Sequence, residues 1–290
     1  AASSDYPLRD VYKRQGVKNV GVLGSTSLVA QSLQPQLAGS YRVIAFSRTV
    51  EKYSGSGQIP LWVSLLPILT LAEWYPYIER YGPRRVVVLS STSVFSKVNS
   101  SDESERVLAT KFADAETDLA KWSQKRSIEC VILRPTLIYG RGLDRNVSQI
   151  ARFIRRFGFF PICSPANGLR QPIHVDDVAW ACKSALETAS AEGHSYNISG
   201  GETLTYKEMV TRIFATFEKK PMFLTTPLWL FKTAAPFVRV IPKFHDWTPS
   251  MAERMNQDLI FDHSEAERDL HLQFRPFHPK IEDVTRTQAA

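Results

Sequence analysis

Apolar and polar residues follow one another along this chain in blocks, with short apolar runs separated by longer amphipathic stretches. Val17 to Leu23 (VKNVGVL) is mostly apolar and ends at Gly24. A run of that length closed by glycine predicts a strand buried in a parallel sheet. From Ser27 to Leu37 the apolar positions Leu28, Val29, Leu33 and Leu37 fall at helical spacing, and Tyr41 to Phe46 predicts a second strand. Leu61 to Leu71 opens as a strand that Pro67 ends, and Ala72 to Tyr81 is expected to be helical. Arg85 to Leu89 and Cys130 to Leu133 are two more buried runs, separated by a charged amphipathic helix over 102–126. Strands alternating with helices predict an α/β protein with a Rossmann-type doubly wound parallel sheet.

After Gly140 the pattern changes. A basic, aromatic helix is expected over 145–157, then a loop containing Pro and Gly (PICSPANGLRQP). Next come a helix from Asp176 to Thr188, a strand at Ser195 to Ile198 and a helix from Thr205 to Phe217, and 220–277 is Pro-rich and irregular with some helix. The expected organisation is a main sheet domain over 17–165. Residues 166–290 then hold the remaining sheet elements, interleaved with a small C-terminal lobe. Residues 1–16 do not share the pattern of the other residues and are expected to be a non-native leader.

Composition narrows the partners. The 290 residues suit one large α/β domain or a domain with a small companion, and 43% hydrophobic with 22% charged content is ordinary for a soluble globular protein. The net charge is +7. Arg141, Arg145, Arg152, Arg155 and Arg156 point to phosphate-bearing ligands, with a merely basic surface as the alternative. No basic stripe interleaved with exposed aromatics is present, so no nucleic-acid partner is expected. No run reaches the roughly 20 apolar residues of a membrane span. The nearest, Pro227 to Pro242, is broken by Lys232, Pro236 and Arg239 and predicts a core or interface helix. Cys130, Cys163 and Cys182 have no metal spacing, so they predict reduced thiols, a cytoplasmic location and no metal.

The segment Gly24-Ser-Thr-Ser-Leu-Val-Ala30 lies between a predicted strand and helix, where backbone N–H groups and a helix N-terminus can hold a pyrophosphate. Gly24, Ser25, Thr26, Ser27 and Leu28 are therefore candidate cofactor-binding residues. Ser27 and Ala30 stand where a GxxGxxG loop has glycines. The Ser27 hydroxyl can donate to the pyrophosphate, and Ala30 still permits close helix–strand packing. The second strand ends in Ser47-Arg48 instead of an acidic residue. An arginine there can pair with a 2′-phosphate, which leans the cofactor to NADP over NAD.

Five later segments bear a resemblance to one family. Leu89-Ser-Ser-Thr-Ser-Val-Phe-Ser96 is similar to SSxxVYG, and Leu133-Arg-Pro-Thr-Leu-Ile-Tyr-Gly140 to LRPxxVYG. Gln171-Pro-Ile-His-Val-Asp-Asp-Val178 is similar to FIHVDDV, and Tyr196-Asn-Ile-Ser-Gly-Gly201 to YNIGGG. Phe261 to Leu270 is similar to a late DxSKAxxxL helix. In this order, from about Val17 to Pro276, the chain resembles the extended short-chain dehydrogenases/reductases, the nucleotide-sugar epimerase/dehydratase family.

That resemblance implies hydride transfer with a nicotinamide, a Tyr-x-x-x-Lys proton relay and an assisting Ser or Thr. Ser91 matches the assisting position. Lys111 fits the lysine and Glu116 a nearby glutamate, with one residue of slippage between them. The tyrosine position falls on Val107, or on Leu108 if Glu116 sets the register, and neither transfers a proton. Ser91 and Lys111 are the candidate catalytic residues, with Tyr139 and Lys97 as substitutes. Ser47, Ser90 and Pro135 are expected to line the cofactor site, and Thr92, Ser93, Arg170 and His174 the substrate site. Asp177 is expected to cap the following helix. Two function classes stay open: an NAD(P)-dependent enzyme acting on a nucleotide sugar, and a non-catalytic dinucleotide-binding sensor or scaffold. A homodimer is expected from the family.

Overall fold

The computed structural model describes residues 18–47, 57–227 and 249–286. The expected leader 1–16, Arg48 and the apolar stretch 228–242 lie outside the described residues.

Six strands form one parallel sheet: β1 (Lys18–Leu23), β2 (Tyr41–Phe46), β3 (Leu61–Ser64), β4 (Arg85–Leu89), β5 (Glu129–Pro135) and β6 (Ser195–Ile198). Their order is β2-β1-β3-β4-β5-β6, with Val22 level with Ala45 on one side and Val63 on the other. The chain leaves β1 in one direction for β2 and returns to its other side for β3. That reversal opens a crevice at the carboxyl ends of the strands, where open α/β sheets bind ligands.

Both sheet faces are covered, which explains the near-continuous apolar runs. Alternate residues serve opposite faces. Val87, Leu89, Val131 and Leu133 pack with helices α1 (Leu28–Ala38) and α4 (Val175–Glu187). Val86, Val88 and Ile132 pack with α2 (Glu103–Arg126) and the 3-10 turn Ile68–Trp74. A third cluster joins α3 (Val147–Phe157), α5 (Tyr206–Ala215), the short strand Phe160–Cys163 and Phe277 into the smaller lobe. Each β-facing position rests on the two-residue period of strands meeting the helical stripe opposite.

Particular residues fix this architecture. A Cβ at Gly21 would lie 2.5 Å from the indole of Trp62, so β1 carries no side chain where that ring lies. Trp62 is fully buried, stacks on Phe46 at 5.2 Å and donates its Nε1–H to the Ile59 carbonyl at 2.7 Å. At the other end of the sheet, buried Arg85 pairs with Glu129 at 2.5 Å and donates to the carbonyls of Ala185, Leu186 and Thr188, capping the C-terminus of α4. The helix α2 is capped by Asp102, which accepts from the Ser104 N–H at 2.9 Å, and it ends where Ser127 turns left-handed.

Two expectations are corrected. The helix anticipated over 72–81 is instead a 3-10 segment, Ile68–Trp74, followed by a short helix Tyr75–Glu79. Pro67 starts this sequence and Pro76 sits at the first turn of the second piece, where its missing N–H costs nothing. Asp177 does not cap α4; the cap is His174, whose Nδ1 accepts from the Asp176 N–H at 3.2 Å. Asp177 lies inside the helix and holds Arg275 at 2.7 Å. The three cysteines are buried, and burial pushes the Cys130 and Cys182 thiols up to about 12.

Candidate functional site

A cleft of about 1440 Å³ opens at the carboxyl ends of β1, β3, β4 and β5 and runs to the smaller lobe. It exceeds the roughly 300–1,000 Å³ of a usual small-molecule site, so it has room for a dinucleotide and a second ligand.

Its first wall is the loop after β1. Gly24 has φ +74, and a Cβ there would lie 3.0 Å from the Leu65 backbone, so glycine is required by both conformation and space. The Gly24 and Ser25 amides donate to the Phe46 carbonyl, tying the loop to β2. Ser27 caps α1: its Oγ accepts from the Ala30 N–H at 3.2 Å. The cap uses an Oγ lone pair and leaves the Ser27 O–H proton able to donate. Ser27, Leu28 and Val29 line the cleft, so the open amides of the first helical turn face it. Ser47 ends the described stretch before Arg48.

The floor is the serine-rich end of β4 with the end of β5. Leu89, Ser90, Ser91, Thr92, Ser93 and Pro135 line it together. Ser91 Oγ donates to Ser93 Oγ at 3.0 Å and accepts the Ser93 N–H at 3.1 Å, so this turn holds its own hydroxyls. The Thr92 hydroxyl donates to the Pro135 carbonyl at 3.2 Å. Ser90 donates to Glu116 at 2.6 Å, and Arg134 grips the same carboxylate with a 2.5 Å closest approach. The Arg134 guanidinium also lies 5.1 Å over the Phe95 ring.

The opposing helix decides the register that the sequence left open. Glu116 is buried and points to the floor, so α2 faces the cleft at Glu116 and, one turn earlier, at Phe112. Phe112 lines the cleft, whereas Lys111 is turned to solvent. Four residues before Phe112 stands Leu108, half-buried, while Val107 is exposed. Phe112 and Glu116 are thus the inward-facing residues of this part of α2, with Leu108 half-buried one turn earlier. Lys111, expected at the nicotinamide ribose, is not brought to the cleft.

The substitutes fare differently. Tyr139 is buried against His174 and Phe277, and burial raises its hydroxyl far above neutrality, so it cannot serve as a base. Lys97 lines the cleft but pairs with Glu105 at 3.3 Å. Burial pushes Glu105 up, and the Ser100 hydroxyl, Arg254 and Lys97 outweigh it, holding the carboxyl below its ordinary range.

On the lobe side, Arg170 lines the cleft, yet its guanidinium donates to the carbonyls of Leu169, Gln257 and Arg254 and lies 5.4 Å over Tyr206. Burial lowers it to about 10, still charged at neutral pH. His174 lies off the cleft, with Nε2 2.9 Å from Asp283. Neither offers a free donor to a substrate. Arg145, Arg152, Arg155 and Arg156, visible in the sequence as charge alone, line the lobe wall and pair with no carboxylate among the described residues. Among those residues no cluster of metal-ligating side chains occurs, and no helix is long and apolar enough to cross a membrane.

Comparison with known proteins agrees with this geometry. Residues 68–199 match the model of the NAD dependent epimerase/dehydratase family. A UDP-glucose 4-epimerase of Vibrio cholerae is 24% identical over 120 residues, covering 41% of this chain and 37% of that protein. Subunit 9 of the NADH dehydrogenase [ubiquinone] 1 alpha subcomplex, mitochondrial, of Arabidopsis thaliana is 28% identical over 108 residues, covering 37% of this chain and 27% of that protein. The match thus spans well under half the length of either curated relative. The Bacillus cereus UDP-glucuronic acid 4-epimerase, solved in complex with NAD, superimposes with a TM-score of 0.67 at 13% identity, covering 92% of this chain and 94% of that one, a likeness of fold.

Proposed function

We propose that this chain, whose residues 68–199 belong to the NAD-dependent epimerase/dehydratase family, binds an NAD(P) dinucleotide without turning it over, as a sensing or assembly protein. The observation that carries this reading is the α2 wall, where Phe112 lines the cleft, Leu108 is half-buried one turn earlier and Lys111 faces solvent, so that we read the relay positions as Leu108 and Phe112. A bound nicotinamide would supply hydride transfer. The chain's own residues would hold it: the Gly24 turn and the first turn of α1 take the diphosphate, and Ser90, Ser91 and Pro135 floor the nicotinamide half. General acid–base catalysis contributes typically 10²–10⁴-fold and needs a titratable group within hydrogen-bond reach, which this wall lacks. The NADH dehydrogenase relatives are named as subunits of a larger assembly, which fits a binding role. Their names also place them in mitochondria, so the compartment of this chain is read best by fractionation.

A second reading, an enzyme acting on a nucleotide sugar, is favoured by the arginines of α3 that line the cleft and by the Vibrio cholerae epimerase match. The discriminating experiment is calorimetry with NADPH and NADH, followed by a panel of UDP- and dTDP-sugars with the loaded protein. Binding without chemistry supports the sensing role. Turnover of any sugar removes it and establishes the enzyme.

A further inference from the structure

We infer that the cleft distinguishes the redox state of its dinucleotide and holds the reduced form more tightly than the oxidised form. This rests on the dinucleotide reading above. With the diphosphate at the first turn of α1 and the adenosine half toward the end of β2, the nicotinamide half runs the other way, across the ends of β3, β4 and β5. The surface it meets there combines apolar side chains with neutral hydroxyls: Leu65, Pro67 and Ile68 after β3, Leu89 with Ser90 and Ser91 on the floor, and Phe112 from α2.

The oxidised nicotinamide ring carries a positive charge and the reduced ring none. Burying a cation is unfavourable unless a carboxylate or polar group replaces its water. Here the nearby carboxylates are already committed. Glu116 is gripped by Arg134 and Ser90, and Glu105 by Lys97 and Arg254. Asp144, the acidic residue among those lining the cleft, accepts from the Asn146 and Ser148 amides and the Ser148 hydroxyl. The opposite wall adds the arginines of α3 that line the cleft, whose field repels a cation and attracts the extra negative charge of the reduced form. The Phe112 ring offers a face to a cation, but it supplies no counter-charge, and the arginines act on the same site.

The test is equilibrium titration of the full chain with NADP+ and NADPH, and with NAD+ and NADH, at low and high salt. The reduced member of whichever pair binds should be tighter by about tenfold or more, and the gap should shrink as salt screens the arginines. Phe112→Glu, which places a carboxylate beside the ring, should narrow or reverse the preference. Arg155→Glu with Arg156→Glu, both on the surface, should narrow it without touching the core. Equal affinity for the two redox states, or tighter binding of the oxidised form, overturns the inference while leaving dinucleotide binding intact. Failure of all four dinucleotides to bind overturns the dinucleotide reading itself and this inference with it.

Discussion

On one side of the cleft, β4 and β5 end in Ser90, Ser91 and Pro135, and these hydroxyls and backbone groups stand together at the crevice. On the other side, α2 keeps the buried Glu116 that braces this floor but presents Leu108 and Phe112 a turn or two earlier. The two walls meet through one carboxylate. Structural and chemical roles on a single helix are separable: Glu116 holds two strand ends together whether or not anything is transferred above it.

The largest effect should come from that brace. Glu116→Ala leaves the half-buried Arg134 without its partner and Ser90 without its acceptor, and denaturant unfolding should show a loss of about 2–3 kcal/mol. Glu116→Gln, which keeps a hydrogen-bonding partner, should lose less. If both variants unfold like the parent, the floor and α2 are not coupled through this residue. Next comes Gly24→Val, which forces a β-branched residue to φ +74 against the Leu65 backbone. About 1–2 kcal/mol of strain and loss of most NAD(P)H affinity are expected by melting and calorimetry.

The first turn of α2 gives a smaller, pH-dependent effect. Glu105 is held below its ordinary value of 4.5, so its contribution to stability is complete above that value and is lost as the pH falls below it. Acid unfolding of Glu105→Gln should be less steep below pH 4.5 than that of the parent, and parallel curves would sink the assignment. Lys111→Ala should do least, within about 0.5 kcal/mol in stability, with unchanged dinucleotide affinity, because its side chain is in solvent. A tenfold drop in affinity would bring Lys111 back into the site.

Much of the fold was legible because local patterns and tertiary burial agree. The run ending at Gly24 is β1, RVVVL is β4, and the charged stretch at 102–126 is a helix capped at Asp102. The phase of that helix was not legible. Lys111 and Glu116 fit the relay spacing only with a slip of one residue, and which of them faces inward depends on the strand ends across from it. The clamp made by Arg170 was hidden for a similar reason, since its acceptors, the Arg254 and Gln257 carbonyls, lie more than 80 residues along the chain. His174 and not Asp177 caps α4 because the ring, not the carboxylate, sits at the non-helical residue before it. The arginines of α3 showed as net charge from the start, but their common wall appeared only once α3 was packed against α5 and the strand at 160–163.

The most direct measurement is a crystal structure of the chain with NADPH bound, inspected at the nicotinamide. The account predicts Phe112 and Ser91 flanking the ring with the Lys111 ammonium in solvent. A Lys111 Nζ within hydrogen-bond distance of the nicotinamide ribose would contradict it.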